Sequence, residues 1–353
     1  RNSEEHHRQS NHGPLISERA MEQVPEIDFA PFLAGNEHDK RRVAREIGAA
    51  CEGIGFFYLI GHDVSDDVTT GIFAAAREFF ALPHAVRHHP DLLISPEQSR
   101  GYQPIGARHY KSTSAPVLME AFKYQRELPP DDPEIVAGDR IQQLNKWPAD
   151  RPLWRKTLPA YFDAIDGVSY DLLRAFALAL DVEEDYFHRF YLKPLTQVSI
   201  LHYPPQQPAD KAFGNRPHAD ETAFTIVLQE TVTGLEVRTR SGEWVSAPPV
   251  DGSFVVNIGD YMARWTNGRF RSTLHRVVNR TGNERYSIPY FAIPNFDAEI
   301  GLLGAVSTCP GGDRGAKHSS GQVQCHSLKI EIYKPADDAL ESWQSSTLNA
   351  YSR

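Results

Sequence analysis

Short alternating runs fill the chain from about residue 195 onward and constrain its fold more than any other feature. Apolar and polar residues alternate there with a period of two, as expected when successive side chains of a strand point to opposite faces. Turn-forming residues separate seven such segments: TQVSILHY, FTIVLQE, GLEVRT, EWVSAP, SFVVNIGD, TLHRVVN and RYSIPYFAIP. Many short strands with turns between them predict an antiparallel sandwich or barrel.

The sequence before these strands predicts helices and a few strands that flank the β core. Residues 24–90 combine helical spacing with one buried strand, FFYLIGH, and residues 91–150 form a long connection rich in proline, glycine and polar residues. The longest helical pattern spans 151–181, and Gly167 predicts a break or bend within it. We therefore expect a mainly β protein with outer helices.

Four regions follow from these patterns. Residues 1–22 are polar and without periodicity, which predicts a flexible leader. We expect an N-terminal mixed α/β region over 23–150, a long helix plus the β core over 151–335, and a C-terminal helix or tail over 336–353.

Composition and charge exclude several classes of function. Of the 353 residues, 41% are hydrophobic, and the formal net charge is −9, which disfavours nucleic acid as a partner. No apolar run is long enough for a membrane span, and no secretory signal pattern is present. The three cysteines are few and widely spaced, as is typical of a reducing compartment, so we expect a cytoplasmic protein. The oligomeric state stays open.

Two histidines and an aspartate predict a metal site. His218 and Asp220 are two positions apart, so on an extended chain their side chains face the same way. His275 lies on a later predicted strand. Two imidazoles and one carboxylate suit ferrous iron that must keep open positions for substrates, whereas a structural zinc site usually has four ligands, often cysteines.

A second motif predicts a carboxylate-binding site. Arg285 and Ser287 are two positions apart on a predicted strand and face the same side. The planar guanidinium matches a carboxylate, and the serine adds a hydroxyl donor. Tyr203, in LHYPP, is a third candidate donor at the same end of the barrel.

Together these motifs resemble the isopenicillin N synthase-like branch of the 2-oxoglutarate/Fe(II)-dependent oxygenases. The resemblance is carried by HAD, LHRVV, RYS and HYPP, and in the N-terminal region by VPEIDFAPF, CEGIGFFYLIGH and REFFALP. It covers roughly residues 24–300. Within the branch, GDYMARWTNGRFRSTLHRVV is similar to small-molecule hydroxylases of the thymine 7-hydroxylase type.

The resemblance implies a fold, a site and an activity. The fold is a distorted double-stranded β-helix, or jelly roll. His218, Asp220 and His275 would bind Fe(II), Arg285, Ser287 and Tyr203 would bind the cosubstrate 2-oxoglutarate, and Phe291 would line the substrate pocket. The activity implied is O2-dependent oxidation, most simply hydroxylation, of a free small molecule with release of succinate and CO2, supported by ascorbate.

Further residues are candidates for the substrate pocket, because such pockets combine apolar walls with a few polar anchors. The long connection offers three aromatic side chains and one cation, and two residues follow the HAD motif on the side that alternation assigns to His218 and Asp220. These candidates are Tyr102, Phe122, Tyr124, Arg100, Thr222 and Phe224.

Several alternatives remain open from the sequence. An isopenicillin N synthase-like oxidase would use no 2-oxoglutarate, and other members of the family desaturate, close rings or form ethylene. A jelly-roll module that binds metal without catalysis is a third class. The sequence does not identify the substrate, although biosynthetic or secondary metabolism is the expected context.

Overall fold

A large and a small β-sheet face each other, and helices cover the outer face of the large sheet. A computed structural model describes residues 23–95, 98–107, 117–138, 142–207, 212–303 and 328–329. The expected leader over 1–22 and the expected C-terminal helix or tail over 336–353 lie outside the described residues. None of the described helices is long and apolar enough to cross a membrane.

The strands of the described residues form three sheets. The strands are β1 (Glu26–Asp28), β2 (Phe56–Ile60), β3 (Gly101–Gln103), β4 (Glu120–Gln125), β5 (Gln197–Tyr203), β6 (Asn215–His218), β7 (Phe224–Gln229), β8 (Leu235–Arg238), β9 (Trp244–Ser246), β10 (Phe254–Ile258), β11 (His275–Val277), β12 (Arg285–Ala292), β13 (Glu299–Ile300) and β14 (Leu328–Lys329). The large sheet has the order β1-β2-β10-β7-β12-β5-β4-β3, the small sheet has the order β6-β11-β8-β9, and β13 pairs with β14.

All seven alternating segments form strands, namely β5 and β7 to β12. The long connection predicted over 91–150 contains two further strands, β3 and β4, which extend the large sheet beyond β5. The alternating segment EAFKYQ is β4 itself. Strands from both sides of residue 150 therefore share one sheet.

Helices and short helical turns surround the large sheet. They are α1 (Ala30–Ala34), α2 (Glu37–Glu52), α3 (Asp66–Phe80), α4 (His84–Arg87), α5 (Pro133–Val136), α6 (Pro152–Ala179) and α7 (Asp260–Trp265), with one 3-10 turn at His188–Phe190. The break predicted at Gly167 is wrong, because α6 continues through it. Gly167 is exposed, and its buried neighbours Ile165 and Val168 anchor the helix on both sides, which outweighs the cost of about 1 kcal/mol for a helical glycine.

Two kinds of core hold the layers together. On the outer face of the large sheet, a continuous cluster of buried residues joins α2, α3 and α6 to the strands. Between the sheets lie two smaller clusters, one around Phe56 and Val237 and the other around Leu201 and Val277. Because both inner clusters contain residues of both sheets, their burial fixes the spacing of the two sheets.

A buried carboxylate ties β4 to the helices. Glu120 accepts hydrogen bonds from the Tyr102 hydroxyl and from Arg87 at the end of α4. His202 Nδ1 lies 2.7 Å from its other oxygen. Burial alone would raise the pKa of Glu120, but the bonds from His202 and Tyr102 and the charge of Arg87 lower it below its usual value.

We expect Glu120→Gln to destabilise the fold in a pH-dependent way. The neutral glutamine leaves the positive charge of Arg87 uncompensated. We expect this to lower the free energy of unfolding by about 3 kcal/mol at pH 7. Because the folded-state pKa is lowered, this stabilisation is present above the unfolded-state value and is lost as the pH falls below about 4.

Urea denaturation across a pH series measures this difference. Glu46→Gln on α2 is the control, since Glu46 forms an exposed ion pair with Arg42 and its loss costs less than about 1 kcal/mol. A difference between Glu120→Gln and the native protein that does not shrink in acid would contradict the assignment.

Candidate metal and cosubstrate site

The two histidines of the predicted metal site meet where two strands of the small sheet pair. β6 ends at His218 and β11 begins at His275, and the two residues are direct cross-strand partners. Side chains of such partners lie on one face of a sheet. Accordingly, the imidazole ring centroids are 4.2 Å apart.

Asp220 completes the cluster from the irregular chain after β6. Its Oδ1 lies 3.5 Å from His218 Nε2 and 3.6 Å from His275 Nε2. One potential ligand atom from each of the three residues lies within 4.8 Å of the others. Three such atoms around one point can bind a single metal ion and leave its far side open.

Backbone carbonyls orient both imidazoles toward the centre of the cluster. His218 Nδ1 lies 2.7 Å from the carbonyl oxygen of Arg216, and His275 Nδ1 lies 3.2 Å from that of Thr273. A carbonyl only accepts, so these contacts assign the proton to each Nδ1 and leave each Nε2 lone pair for a metal.

The protonation states of the buried groups suit a cation. Burial lowers the pKa of His275 to about 4, with His218 contributing, so its ring is neutral near pH 7. Burial would raise the pKa of Asp220, but His275, His218 and a hydrogen bond from Thr225 lower it far below its usual range. An ionised carboxylate beside the neutral His275 imidazole offers donors of the kind that a divalent metal needs.

Two residues of the large sheet hold the second oxygen of the carboxylate. Thr225 Oγ1 donates to Asp220 Oδ2 over 2.6 Å, and Asn257 Nδ2 donates to the same oxygen over 2.8 Å. With Oδ2 occupied, Oδ1 is the atom that faces the imidazoles. The sequence did not indicate Thr225 and Asn257. They lie on β7 and β10, and the HAD motif contains no information about how these strands pack around it.

The N-terminus of α7 fixes the bend that follows Asp220. The backbone N–H of Asp260 donates to the carbonyl of Asp220 over 2.8 Å, and that of Tyr261 donates to the carbonyl of Thr222 over 2.9 Å. A Cβ on Gly259 would lie 2.3 Å from the Thr222 carbonyl oxygen. Only glycine therefore allows α7 to approach this closely.

The same bend corrects the predicted position of Phe224. The chain from 221 to 223 is not extended, so the alternation starts again at β7. Thr225 faces the metal cluster, whereas Phe224 packs on the helical side against Phe176, with ring centroids 5.1 Å apart. Thr222 is buried beside Thr225, with 3.4 Å between the two hydroxyl oxygens.

A buried cation lies on the inner face of the large sheet. Arg285 at the start of β12 is 1% exposed and lies over the Tyr203 ring, 4.9 Å from its centroid. Its Nη1 donates to Ser287 Oγ over 3.2 Å and its Nη2 to Gln229 Oε1 over 2.9 Å. Gln229 was missed from the sequence, although it is the cross-strand partner of Ser287.

This guanidinium lacks a counter-ion among the described residues. No carboxylate there forms an ion pair with Arg285, and its Nε has no hydrogen-bond partner among them. Burial accordingly lowers the pKa of Arg285. An unpaired buried charge is costly, so the arrangement favours an anionic ligand beside Ser287 and Tyr203.

The predicted substrate residues of the long connection divide into two groups. Tyr102, Phe122 and Tyr124 lie on the helical face of the large sheet and pack against Phe79, Trp154 and Phe162, on the opposite face from the metal site and contrary to the expectation that they line the substrate pocket. Their aromatic side chains are buried where the largest apolar surface is available. Arg100 is buried, and its Nε and Nη2 donate to Gln125 Oε1 over 2.9 and 2.5 Å.

Phe291 is half-buried and faces the same side as its cross-strand partner Thr225.

Three potential metal ligands and a buried cation lie between the sheets of a jelly roll. This combination defines a non-haem metal oxygenase of the 2-oxoglutarate type. Two family descriptions match the chain: 2OG-Fe(II) oxygenase superfamily over residues 195–294, and non-haem dioxygenase in morphine synthesis N-terminal over residues 24–150. The chain belongs to the 2OG-Fe(II) oxygenase superfamily.

Curated relatives agree with this assignment. The chain is 35% identical over 280 residues to the 2-oxoglutarate-Fe(II) type oxidoreductase hxnY of Emericella nidulans, covering 77% of this chain and 80% of that one. It is 33% identical over 302 residues to the 2-oxoglutarate-dependent dioxygenase citB of Monascus ruber, covering 82% and 91%. The cofactors Fe(II) and 2-oxoglutarate and the dioxygenase class predicted from the sequence are confirmed.

Solved structures confirm the jelly-roll fold. Neurospora crassa T7H in complex with alpha-KG (2-oxoglutarate) superposes with a TM-score of 0.71 at 28% identity, covering 81% of this chain and 90% of that one. The T7H complex with alpha-KG and thymine also gives a TM-score of 0.71, at 27% identity, covering 83% and 92%.

We expect Thr225→Val to weaken metal binding. Valine keeps the shape of threonine but removes the hydroxyl that donates to Asp220 Oδ2, and loss of such a supporting bond costs about 10- to 100-fold in metal affinity. Anaerobic titration with Fe(II) measures the dissociation constant. Thr70→Val on the exposed face of α3 is the control, and equal affinity in both variants would contradict the proposed role.

Proposed function

We propose that this chain oxidises a free small molecule at an Fe(II) ion bound by His218, Asp220 and His275. In this proposal Arg285, Ser287 and Tyr203 bind the distal carboxylate of 2-oxoglutarate, and Phe291 contacts the substrate. The most direct outcome is hydroxylation with release of succinate and CO2. The single observation that carries the proposal is the convergence of two imidazoles and one carboxylate on a point between the sheets that also hold a buried guanidinium without a counter-ion among the described residues.

The protein groups have separate tasks in this reaction. An Fe(II) ion held by His218, Asp220 and His275 would supply the activation of O2 and the oxidative decarboxylation of 2-oxoglutarate. Thr225 and Asn257 orient the Asp220 carboxylate, and the carbonyls beyond each Nδ1 orient the imidazoles. Ser287 and Gln229 hold the guanidinium of Arg285 in position before the cosubstrate arrives, which lowers the entropy lost on binding.

The inner clusters between the sheets exclude water from the cosubstrate region. Tyr203, Leu201 and Val277 are buried together there. A dry environment strengthens the attraction between the guanidinium and a carboxylate, because fewer water molecules screen the charges. This supports a tightly bound dicarboxylic acid rather than a loosely held anion.

We infer that the enzyme acts in the cytoplasm without nucleic acid or membrane partners. The buried thiol of Cys51 is free, and the formal net charge of −9 does not favour a polyanionic partner. T7H has been solved with thymine, a free small molecule, which supports a substrate of that size.

The oxidase alternative makes a different prediction about Arg285. An oxidase that takes all its electrons from the substrate requires no 2-oxoglutarate. The names of the curated relatives and the T7H complexes favour the cosubstrate-dependent reaction. Anaerobic titration of the ferrous protein with 2-oxoglutarate decides between the two, since the oxidase has no need of tight binding.

We expect Arg285→Met to weaken 2-oxoglutarate binding on the order of 100-fold, because truncating one partner of a buried charge pair costs about 2–5 kcal/mol. The iron affinity is expected to change little, because Arg285 is not a proposed metal ligand. Arg285→Lys restores the charge without the planar fork and is expected to recover part of the loss.

Arg276→Met is the matched control, since Arg276 pairs with Glu236 at the half-exposed surface of the small sheet. The measurements are the dissociation constant for 2-oxoglutarate and the rate of succinate release. Unchanged 2-oxoglutarate affinity in Arg285→Met would refute the proposed cosubstrate site. The matching test of the metal site is His218→Ala, in which succinate release at the native rate would show that the triad is not the catalytic centre.

A further inference from the structure

We propose that Asn215 on β6 donates a hydrogen bond to the keto-acid end of 2-oxoglutarate, the end beside the metal. This inference rests on the proposed function and adds a cosubstrate-binding residue that lies outside the sequence motifs. It is carried by an irregularity in the pairing of β6 with β11, which brings the Asn215 amide next to His218.

A β-bulge in β6 turns Asn215 toward the interior. His218 is the cross-strand partner of His275, and Asn215 is the partner of Val277, so three steps along β6 match two along β11. In a regular strand, residues three positions apart point to opposite faces, and one extra residue in the strand removes this opposition. Val277 belongs to an apolar cluster between the sheets, so its partner Asn215 faces inward as well.

The sequence of β6 is compatible with this bulge. β6 is the outermost strand of the small sheet, and Pro217 is exposed within it. Proline has no N–H to donate to a neighbouring strand, and it is found on edge strands and at bulges. Pro217 therefore favours irregular pairing between Asn215 and His218.

The Asn215 amide lies beside the nitrogen of His218 that a metal would take. Its Nδ2 is 3.4 Å from His218 Nε2, at the long end of hydrogen-bond distances. The Arg216 carbonyl assigns the His218 proton to Nδ1, so Nε2 accepts and the amide N–H donates. A metal at Nε2 would take the same lone pair, and the amide N–H would then need a new acceptor close to the metal.

An anionic metal ligand is the acceptor that suits this donor best. Thr225 and Asn257 already donate to Asp220 Oδ2, so both stay engaged when a metal is bound. Asn215 offers a donor without the positive charge of lysine or arginine, which would repel the metal ion. Hydrogen bonds to an ionised acceptor are stronger than those between neutral groups, and the keto-acid carboxylate of 2-oxoglutarate is such an acceptor.

The position of Asn215 favours the cosubstrate over the substrate as its partner. A Cβ on the preceding Gly214 would lie 2.7 Å from Tyr203 Cδ1, so the backbone there packs directly against this ring. The Arg285 guanidinium lies over the same ring. The segment from Gly214 to His218 thus runs from the proposed site of the distal carboxylate to the metal site, which is the span that one 2-oxoglutarate molecule must cover.

The test measures the binding of Fe(II) and of 2-oxoglutarate to Asn215→Leu under anaerobic conditions. Leucine is similar in size to asparagine but lacks the donor. The 2-oxoglutarate titration uses protein saturated with Fe(II), and the iron-to-2-oxoglutarate charge-transfer absorption gives the dissociation constant without turnover. Asn283→Leu is the matched control, since Asn283 is exposed in a turn and its described hydrogen bonds are formed by its backbone.

We expect Asn215→Leu to bind 2-oxoglutarate about tenfold more weakly, because a hydrogen bond to a charged group is lost. The affinity for Fe(II) alone is expected to stay the same or to rise up to about threefold, since the competing contact with His218 Nε2 is absent. Asn215→Gln keeps an amide donor, and its 2-oxoglutarate affinity is expected to lie between those of Asn215→Leu and the native protein. Asn283→Leu is expected to match the native protein.

The wavelength of the charge-transfer absorption separates the two ends of 2-oxoglutarate. The transition moves electron density from the metal onto the keto-acid end, where a hydrogen bond stabilises it. At saturating 2-oxoglutarate, we expect the absorption of Asn215→Leu to lie at a shorter wavelength than that of the native protein. Arg285→Met changes the site of the distal carboxylate and is expected to keep the native wavelength.

The outcomes separate this inference from the function on which it rests. Absence of 2-oxoglutarate binding and of the charge-transfer absorption in the native protein would overturn the proposed function, and the inference with it. Normal binding in the native protein with unchanged 2-oxoglutarate affinity in Asn215→Leu would overturn the inference alone. The inference would also be overturned by a loss of Fe(II) affinity as large as the loss of 2-oxoglutarate affinity, which indicates general damage to the site, or by an equal wavelength shift in Arg285→Met.

Discussion

The pairing of β6 with β11 is the interaction on which the rest of the site depends. It places His218 opposite His275, although many strands and turns separate them along the chain. The third ligand belongs to neither strand, and its carboxylate is oriented from the large sheet through Thr225 and Asn257. The candidate metal site therefore joins the two sheets, and its geometry depends on the apolar cores between the sheets, which set their spacing. A change in that core is expected to displace the side chains of the metal site, because close-packed interiors transmit small displacements.

The two faces of the large sheet differ in their polar residues. The outer face is mainly apolar and packs against the helices, with Glu120 and His202 as a buried polar pair, while the inner face carries Asn257, Thr225, Gln229 and Arg285 between its apolar clusters. Buried polar groups lower stability unless they are hydrogen-bonded. Here they bond chiefly to one another and to Asp220, and Arg285 Nε has no hydrogen-bond partner among the described residues. The buried polar residues of the inner face thus indicate the part of the sheet that carries the candidate site.

The strands and the pair of candidate metal-binding residues His218 and Asp220 could be predicted from the sequence because both are local patterns, whereas His275 was assigned from the family resemblance. A period of two identifies a strand without knowledge of its neighbours, and Arg285 and Ser287 share a face for the same reason. The orientation of a strand is not local. In β4, alternation separates Phe122 and Tyr124 from Lys123 and Gln125, but only the helices packed outside decide which pair faces inward. The aromatic pair packs against the larger apolar surface of the helices, and the polar pair therefore lies on the inner face.

Arg285 is a cation on the inner face, and its burial and fixed position indicate its task. Arg285 is fully buried between the sheets and fixed by Ser287 and Gln229, as suits a carboxylate that is the same in every turnover. A flexible ammonium group tolerates anions of varied shape, whereas a packed guanidinium selects one planar geometry. On these grounds we propose that the buried guanidinium binds the carboxylate of the cosubstrate.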